Sequence, residues 1–206
     1  MMDVIVVTGG IGSGKSEVCR IIREYYGCGV YCADTRVKEL YDVFPGLLEK
    51  IETLLGVTLR NSEGIFVPKL LADVIFNDRG ALDIVENLVF PVLVEDFKRW
   101  AAGYSSARFV LFESATILEK PQLKGFGDRI LLVDAPFETR LERACHRDSA
   151  QREKIQERMR NQTLMNSISV GLVRPEVDAV IDNTGSLEEL KLEVKQVIDD
   201  LYNKNI

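Results

Sequence analysis

The feature that most constrains the fold is a glycine-rich stretch near the N-terminus. It reads GGIGSGKS, lies between an apolar run from Asp3 to Thr8 and a helical pattern from Lys15 to Tyr26, and matches G-x-x-x-x-G-K-[ST]. Glycines allow successive backbone N–H groups to point at one phosphate, and the N-terminus of the next helix attracts the anion. The sequence therefore predicts a phosphate-binding loop. Its residues are Gly9, Gly10, Ile11, Gly12, Ser13, Gly14, Lys15 and Ser16.

The last two side chains of this loop have defined chemistry. Lys15 is expected to reach the β- and γ-phosphates of a nucleotide, and the Ser16 hydroxyl is expected to hold Mg²⁺. No Asn-Lys-x-Asp guanine-reading motif occurs, and 206 residues are few for a motor or transporter ATPase. The length suits a small-molecule kinase, which also needs a carboxylate near the acceptor hydroxyl, an acceptor pocket and mobile cations.

Strand-like apolar runs alternate with helical patterns over much of the chain. Besides residues 3–8, these runs are 30–32, 109–112, 130–133 and 177–181. A capping box at Ser186 and Glu189 opens a final helix. This alternation predicts an α/β fold, with a parallel sheet covered by helices on both faces.

Residues 35–105 have a different pattern. They contain helical periodicity and no strong strand, which indicates a helical insertion in a core of about 1–34, 106–139 and 170–206. Pro91 is expected to kink or restart the helix predicted over 82–100. Four aromatic side chains are expected in a core rather than on a cofactor platform: Phe76, Phe90, Phe97 and Trp100.

Composition excludes several functional classes. The net charge of −6 argues against polyanion binding by the whole surface, so no nucleic-acid partner is expected. There is no apolar run of 18 residues and no signal-peptide pattern, so a cytoplasmic protein without a membrane partner is expected. The four cysteines form no C-x-x-C pair and are expected to be reduced thiols. A single histidine, His146, excludes mechanisms that need two imidazoles.

Three acidic residues at strand ends are candidates for catalysis or metal binding. Asp34 follows the second strand, where it could face the reacting phosphate or cap the helix expected to start at Thr35. Glu113 and Asp134 follow the next two strands, and either could assist Mg²⁺ or cap a loop. The sequence leaves these alternatives open.

Residues 140–160 are rich in arginine. They carry seven basic side chains against four acidic ones, although the whole chain is negative. A mobile lid would bring such cations onto a transferring phosphoryl group. Alternatively, the segment is a solvated helix with ion pairs of Glu153 and Glu157 with Lys154 and Arg158.

Taken together, these motifs resemble the dephospho-CoA kinase family, and the resemblance covers nearly the whole chain. It is carried by TGGIGSGKS at the loop, Cys32-Ala33-Asp34 after the second strand, and Ile117-Leu118-Glu119 after the third. The segment from Asp134-Ala135-Pro136 to Gln162 resembles that family's lid. Residues 180–185, VIDNTG, resemble its closing motif near the adenine.

The resemblance implies a P-loop kinase with a five-stranded parallel sheet, a helical CoA-binding insertion over about 35–105 and a lid over about 140–165. Its substrates would be ATP and dephospho-CoA, with Mg²⁺, and its product CoA, phosphorylated at the ribose 3′-hydroxyl. Asp34 would be the base or orienter of that hydroxyl, and Lys15 and Arg147 would neutralise the transferring group. The resemblance adds three residues to the nucleotide-binding set: Glu17, Arg143 and Asn183.

The sequence departs from this family's pattern at three places, and the last two of them lie in the region that should bind the acceptor. Cys32 stands in place of an acid, Phe90-Pro91 in place of His-Pro, and Glu63-Gly64 is not followed by a clear arginine match. Two alternatives therefore stay open: a kinase for another small nucleoside-like or sugar hydroxyl, and a nucleotide-binding regulatory protein. The oligomeric state is open, with a monomer slightly favoured.

Overall fold

A five-stranded parallel sheet supports the part of the chain that carries the phosphate loop. In the computed structural model, the described residues are 2–148, 151–169, 171–172 and 176–203. The sheet order is β2-β3-β1-β4-β5, and every pairing is parallel. The predicted α/β fold with a parallel sheet is confirmed. The strands are β1 (Asp3–Thr8), β2 (Val30–Cys32), β3 (Phe109–Glu113), β4 (Arg129–Asp134) and β5 (Ala179–Asp182).

The chain divides into two units. One comprises Met1–Cys32 and Tyr104–Ile206, and the other Ala33–Gly103. The helices of the first unit are α1 (Lys15–Tyr26), α6 (Phe137–Asp148), α7 (Arg152–Arg160), α8 (Thr163–Ser169) and α9 (Leu187–Asn203). Those of the second are α2 (Ala33–Val43), α3 (Pro45–Leu55), α4 (Pro68–Asn77) and α5 (Arg79–Ala101).

The core of the first unit forms where the sheet meets α1 and α9. Central parallel strands are covered on both faces, so they are apolar along their whole length. Ile5 and Val7 of β1 are completely buried in one cluster with helix residues such as Ile21 and Val194. On the opposite face, the ring of Phe112 stacks on Tyr31 at a centroid distance of 5.5 Å. This packing fixes the end of β1, where the phosphate loop begins.

The second unit is a group of helices packed around α5. Its buried residues include Leu40, Ile51, Leu71 and Leu93, which come from four different helices. Arg36 of α2 donates two hydrogen bonds, of 2.7 and 2.8 Å, to the carboxylate of Asp96 in α5. The predicted aromatic core is wrong at Phe76, which is 77% exposed, whereas Phe97 is buried.

Two predictions about helices in this unit are corrected. Helix α5 runs without interruption from Arg79 to Ala101, so Pro91 does not restart it. Proline removes only one backbone hydrogen bond, and packing of α2, α3 and α4 against α5 supports the continuous helix. Helix α2 begins at Ala33, so Asp34 lies in its first turn rather than at the N-cap.

The arginine-rich segment, residues 140–160, is divided between α6 and α7. Residues 149 and 150, between α6 and α7, lie outside the described residues.

Within the described part of the chain, no helix combines the length and apolar character needed to cross a bilayer.

Candidate active site

The phosphate loop connects the end of β1 to the start of α1, as the sequence predicts. Gly14, in the left-handed region at φ 97°, precedes the first residue of α1. The Lys15 side chain folds back over the loop, where its Nζ donates to the carbonyl oxygens of Gly9 at 3.0 Å and Gly10 at 3.2 Å. The ammonium group therefore lies over the loop backbone, the position expected of a lysine that neutralises phosphate charge.

Close packing from two neighbouring elements shapes the loop. A Cβ atom on Gly12, where φ is +77°, would lie 2.0 Å from the carbonyl oxygen of Arg140 in α6. A Cβ on Gly14 would lie 2.0 Å from Nδ2 of Asn183, which follows β5. That Asn183 nitrogen donates to the carbonyl oxygen of Ser13 at 2.8 Å. Because both approaches involve the loop backbone, neither glycine can be replaced without moving the loop or its neighbours.

Arg143 and Asn183, two of the residues assigned to nucleotide binding by resemblance, are brought together beside the loop. Arg143 donates from Nη1 to the backbone oxygen of Asn183 at 3.0 Å. Glu17 is arranged differently: its carboxylate pairs with Arg20 on α1 at 2.5 Å. This pairing, above all the hydrogen bond from Arg20, lowers the pKa of Glu17.

Two hydroxyl groups at the phosphate loop lie inside the protein. The hydroxyl oxygens of Thr8 and Ser13 are buried, and neither has a hydrogen-bond partner among the described residues. A buried hydroxyl without a partner costs about 1–3 kcal/mol, so such groups are normally satisfied. Because neither residue has accessible surface, a phosphate in the loop would not reach these hydroxyls. The prediction of a phosphate site therefore rests on the motif and on the position of Lys15.

Glu113 is the strand-end acid that reaches the loop. Its Oε1 accepts a hydrogen bond from Oγ of Ser16 at 2.7 Å, and its Oε2 accepts one from Sγ of Cys32 at 3.3 Å. Hydroxyl and carboxylate oxygens are the donors that Mg²⁺ prefers. Asp134, the other candidate, instead lies near Arg140, where its charge favours the protonated guanidinium. The geometry thus favours Glu113 for a cation held with Ser16.

The four cysteines are thiols, and none forms a disulfide. Burial in the core raises the pKa of Cys19 well above its ordinary value and that of Cys28 to about 11. These two thiols are therefore protonated near neutral pH. Cys32 is exposed beside Glu113.

Two arginines of the predicted lid, Arg147 and Arg158, meet at one carboxylate. Arg147 donates to both oxygens of Asp148, at 2.6 and 3.1 Å, and Arg158 of α7 donates to Asp148 Oδ2 at 2.9 Å. These hydrogen bonds, first that of Arg147, lower the pKa of Asp148. Arg152 of α7 pairs with Glu138 of α6, so this ion pair and the Arg158–Asp148 pair join α6 to α7 instead of running along one solvated helix.

Arg140 has a role that sequence reasoning missed. It belongs to the arginine-rich segment predicted as a lid, yet its side chain is completely buried. A Cβ on Gly10 would lie 1.9 Å from its Nη1, so the guanidinium packs directly against the loop. Burial lowers the pKa of Arg140, and the charge of Asp134 opposes that shift. No signal in the sequence distinguishes this arginine from its exposed neighbours.

A cavity of about 780 Å³ lies at the carboxyl ends of β4 and β5, beside Arg140. Its volume is in the range typical of sites for small molecules and cofactors. Ligands of open α/β sheets bind at this edge of the sheet. Its lining includes Asp134, Pro136, Arg140, Asp182 and Thr184.

Comparison with known proteins identifies the family to which these features belong. Residues 3–189 match the sequence profile described as dephospho-CoA kinase. The chain belongs to the dephospho-CoA kinase family. Its relatives include a dephospho-CoA kinase of Mannheimia succiniciproducens, 31% identical over 99% of this chain and 92% of that protein. Another, from Porphyromonas gingivalis, is 36% identical over 82% of this chain and 81% of that protein.

A solved structure matches the fold over nearly the whole chain. A crystal structure of a Thermus thermophilus protein matches with a TM-score of 0.78 and 28% identity, over 97% of this chain and 98% of that one.

Asp34, the predicted catalytic carboxylate, is exposed in the first turn of α2, two residues after β2 ends. An acid at this position is favoured by the helix dipole whether or not it has a catalytic role. Its catalytic role stays a prediction.

Replacing Gly12 with alanine should abolish tight nucleotide binding. The new Cβ would meet the Arg140 carbonyl, and the positive φ adds backbone strain. We expect ATP affinity to fall on the order of a hundredfold, equivalent to the ~3 kcal/mol that such strain can cost. Calorimetric titration with ATP measures this change.

The matched control is Gly27→Ala at the end of α1. Gly27 also has a positive φ, of 65°, but a Cβ there would have nothing within 4 Å. This variant should lose about 1 kcal/mol of stability and keep its ATP affinity. Equal ATP affinity in the Gly12 variant and the wild type would contradict the close packing described for the loop.

Proposed function

We propose that this protein transfers the γ-phosphoryl group of ATP to the 3′-hydroxyl of the ribose of dephospho-CoA, forming CoA and ADP. The observation that carries the proposal is the match to the dephospho-CoA kinase family over residues 3–189. The site supports it, because the Lys15 ammonium lies over the loop backbone and the cavity at the ends of β4 and β5 has the size of a nucleotide-scale site.

The loop and Lys15 bind the phosphates of ATP in this proposal. The acceptor oxygen forms a bond to the γ-phosphorus as the bond between that phosphorus and the β–γ bridging oxygen breaks. Charge on the transferring group is neutralised by the Lys15 ammonium, which already lies over Gly9 and Gly10. Arg147 supplies a second cation from the end of α6. Preorganised cations of this kind are the main catalytic device in phosphoryl transfer.

Ser16 and Glu113 would hold Mg²⁺. The hydroxyl would be a direct ligand, and Glu113, now hydrogen-bonded to it, would orient the hydroxyl or a bound water. When bound there, Mg²⁺ would neutralise the negative charge that develops on the phosphates during transfer.

Asp34 would orient the acceptor hydroxyl and receive its proton. Since the transition state of phosphoryl transfer is loose, little base strength is needed, and orientation is the larger part of this role. We further assign residues 35–105 to binding the CoA portion of the acceptor and residues 140–165 to the lid. The cytoplasmic location stays a prediction from the sequence.

The acceptor is tested by measuring ADP release with ATP and Mg²⁺ in the presence of dephospho-CoA, adenosine or nucleoside monophosphates. We expect turnover when dephospho-CoA is the acceptor and none with adenosine or nucleoside monophosphates. ATP binding without turnover on dephospho-CoA, but with turnover on another hydroxyl compound, would favour a kinase for a different acceptor. The comparison of acceptors is informative because Phe90-Pro91 stands in place of the family's His-Pro in the region expected to bind the acceptor.

Asp34→Asn should reduce kcat by about 10² to 10⁴ and leave ATP affinity nearly unchanged, because the carboxylate acts on the acceptor. Asp42→Asn is the control, since Asp42 is an exposed acid of the same helix. It should have wild-type kinetics. Wild-type turnover in Asp34→Asn would exclude both the base and the orienting role.

Glu113→Gln should raise the Mg²⁺ concentration needed for half-maximal rate by about tenfold or more, as the loss of an outer-shell carboxylate usually does. Asp134→Asn removes the other strand-end acid and should leave the Mg²⁺ requirement unchanged. Titrations of rate against Mg²⁺ at saturating ATP make the comparison. If Asp134→Asn raised the Mg²⁺ concentration for half-maximal rate more than Glu113→Gln did, the cation would be assigned to Asp134.

A further inference from the structure

The tip of the phosphate loop is joined to the corner between α7 and α8. The backbone N–H of Ile11 donates to Oε1 of Gln162 at 2.8 Å, across 151 residues of sequence. Gln162 is buried and lies directly before α8. In the structure, this loop amide is thus directed at a side chain that lies two residues beyond the arginine-rich segment.

The backbone of Gln162 is fixed on both sides. Its N–H donates to the Met159 carbonyl at 3.1 Å, and its own carbonyl accepts from the N–H of Asn166 at 3.0 Å. The Asn166 side chain adds a bond of 2.9 Å to the same Met159 carbonyl. The amide of Gln162 therefore extends from a rigid corner, so it can determine where the Ile11 peptide lies.

Ile11 makes a second, apolar contact with the same segment. Its side chain packs against a cluster formed by Leu141, Ala144, Ile155 and Met159, none of which is more than 1% exposed. These residues belong to α6 and α7. A displacement of the α7–α8 corner must break the Ile11–Gln162 hydrogen bond and also disturb this apolar contact.

From these contacts we propose that Gln162 is a positioning residue of the kinase, which sets the shape of the phosphate loop through the Ile11 amide and couples ATP binding to the α7–α8 corner. The coupling depends on the proposed function in one respect, namely that the loop binds ATP. It does not depend on the identity of the acceptor. Because coupling between two sites is reciprocal, ATP should also strengthen the Ile11–Gln162 bond.

The first test is amide hydrogen exchange at Ile11, measured by NMR without acceptor. Gln162→Leu removes the acceptor atom but suits a buried position, and it should accelerate this exchange at least about tenfold, the factor expected for one net hydrogen bond. Gln162→Glu keeps an acceptor oxygen at the same reach and should exchange like the wild type. ATP affinity of the leucine variant, measured by calorimetry, should fall about tenfold for the same reason.

The control for general loosening is Ser167→Ala. Ser167 donates from Oγ to the Thr163 carbonyl within α8 at 2.9 Å. This variant should match the wild type in Ile11 exchange and ATP affinity. If Ser167→Ala and Gln162→Leu have the same effects, the role of Gln162 is structural only and the proposal is wrong.

A second measurement uses the unmodified protein, so it does not depend on how a variant folds. A non-hydrolysable ATP analogue should slow exchange at the Ile11 amide beyond its rate in the ligand-free protein. Unchanged or faster exchange with the analogue bound would overturn the coupling. Failure of dephospho-CoA as acceptor would leave both measurements unaffected, so the two proposals can fail separately.

Discussion

The phosphate loop keeps its shape because its backbone is in close contact with groups that come from distant parts of the sequence. The carbonyl of Arg140 lies where a side chain at Gly12 would have to be, and Asn183 occupies the corresponding space at Gly14. A loop made mostly of glycine has high conformational freedom, and fixing it costs entropy. The contacts of Arg140 and Asn183 with the loop offset that entropy cost during folding, so the site is already ordered when ATP binds.

The arginine-rich segment shows how one stretch of sequence can have two physical roles. Arg140 is buried and supports the loop, whereas Arg147 and Arg158 are exposed and share the carboxylate of Asp148. Exposed ion pairs of this kind contribute roughly 0–1 kcal/mol each. They are therefore easily exchanged for phosphate oxygens, which is what a lid arginine requires, whereas Arg140 is held by packing and suits a fixed support.

The elements that were predictable from the sequence are those determined by local pattern. The buried strands are continuous apolar runs, and the loop is set by its motif, so the sheet and the loop could be placed without the structure. The contacts of Arg140, Gln162 and Asn183 with the loop could not, because each joins residues far apart in sequence. Pro91 was misjudged as a restart point because packing from three helices outweighs the loss of one hydrogen bond.

The choice between Glu113 and Asp134 shows why the candidate site was only partly predictable. Both acids end a strand next to β1, so their positions in the sequence are equivalent. The side chains differ in what they meet: Glu113 accepts the Ser16 hydroxyl, and Asp134 lies near the buried Arg140. Only the three-dimensional arrangement distinguishes a carboxylate that can serve a cation from one that balances a guanidinium.

The central claim is that this loop delivers a phosphoryl group to one particular hydroxyl. The most direct test is to incubate the protein with ATP, Mg²⁺ and dephospho-CoA, and to identify the product by mass spectrometry and phosphorus NMR. We expect a single product with one added phosphate, at the 3′ position of the ribose. Unmodified dephospho-CoA, or a phosphate at another position, would contradict it.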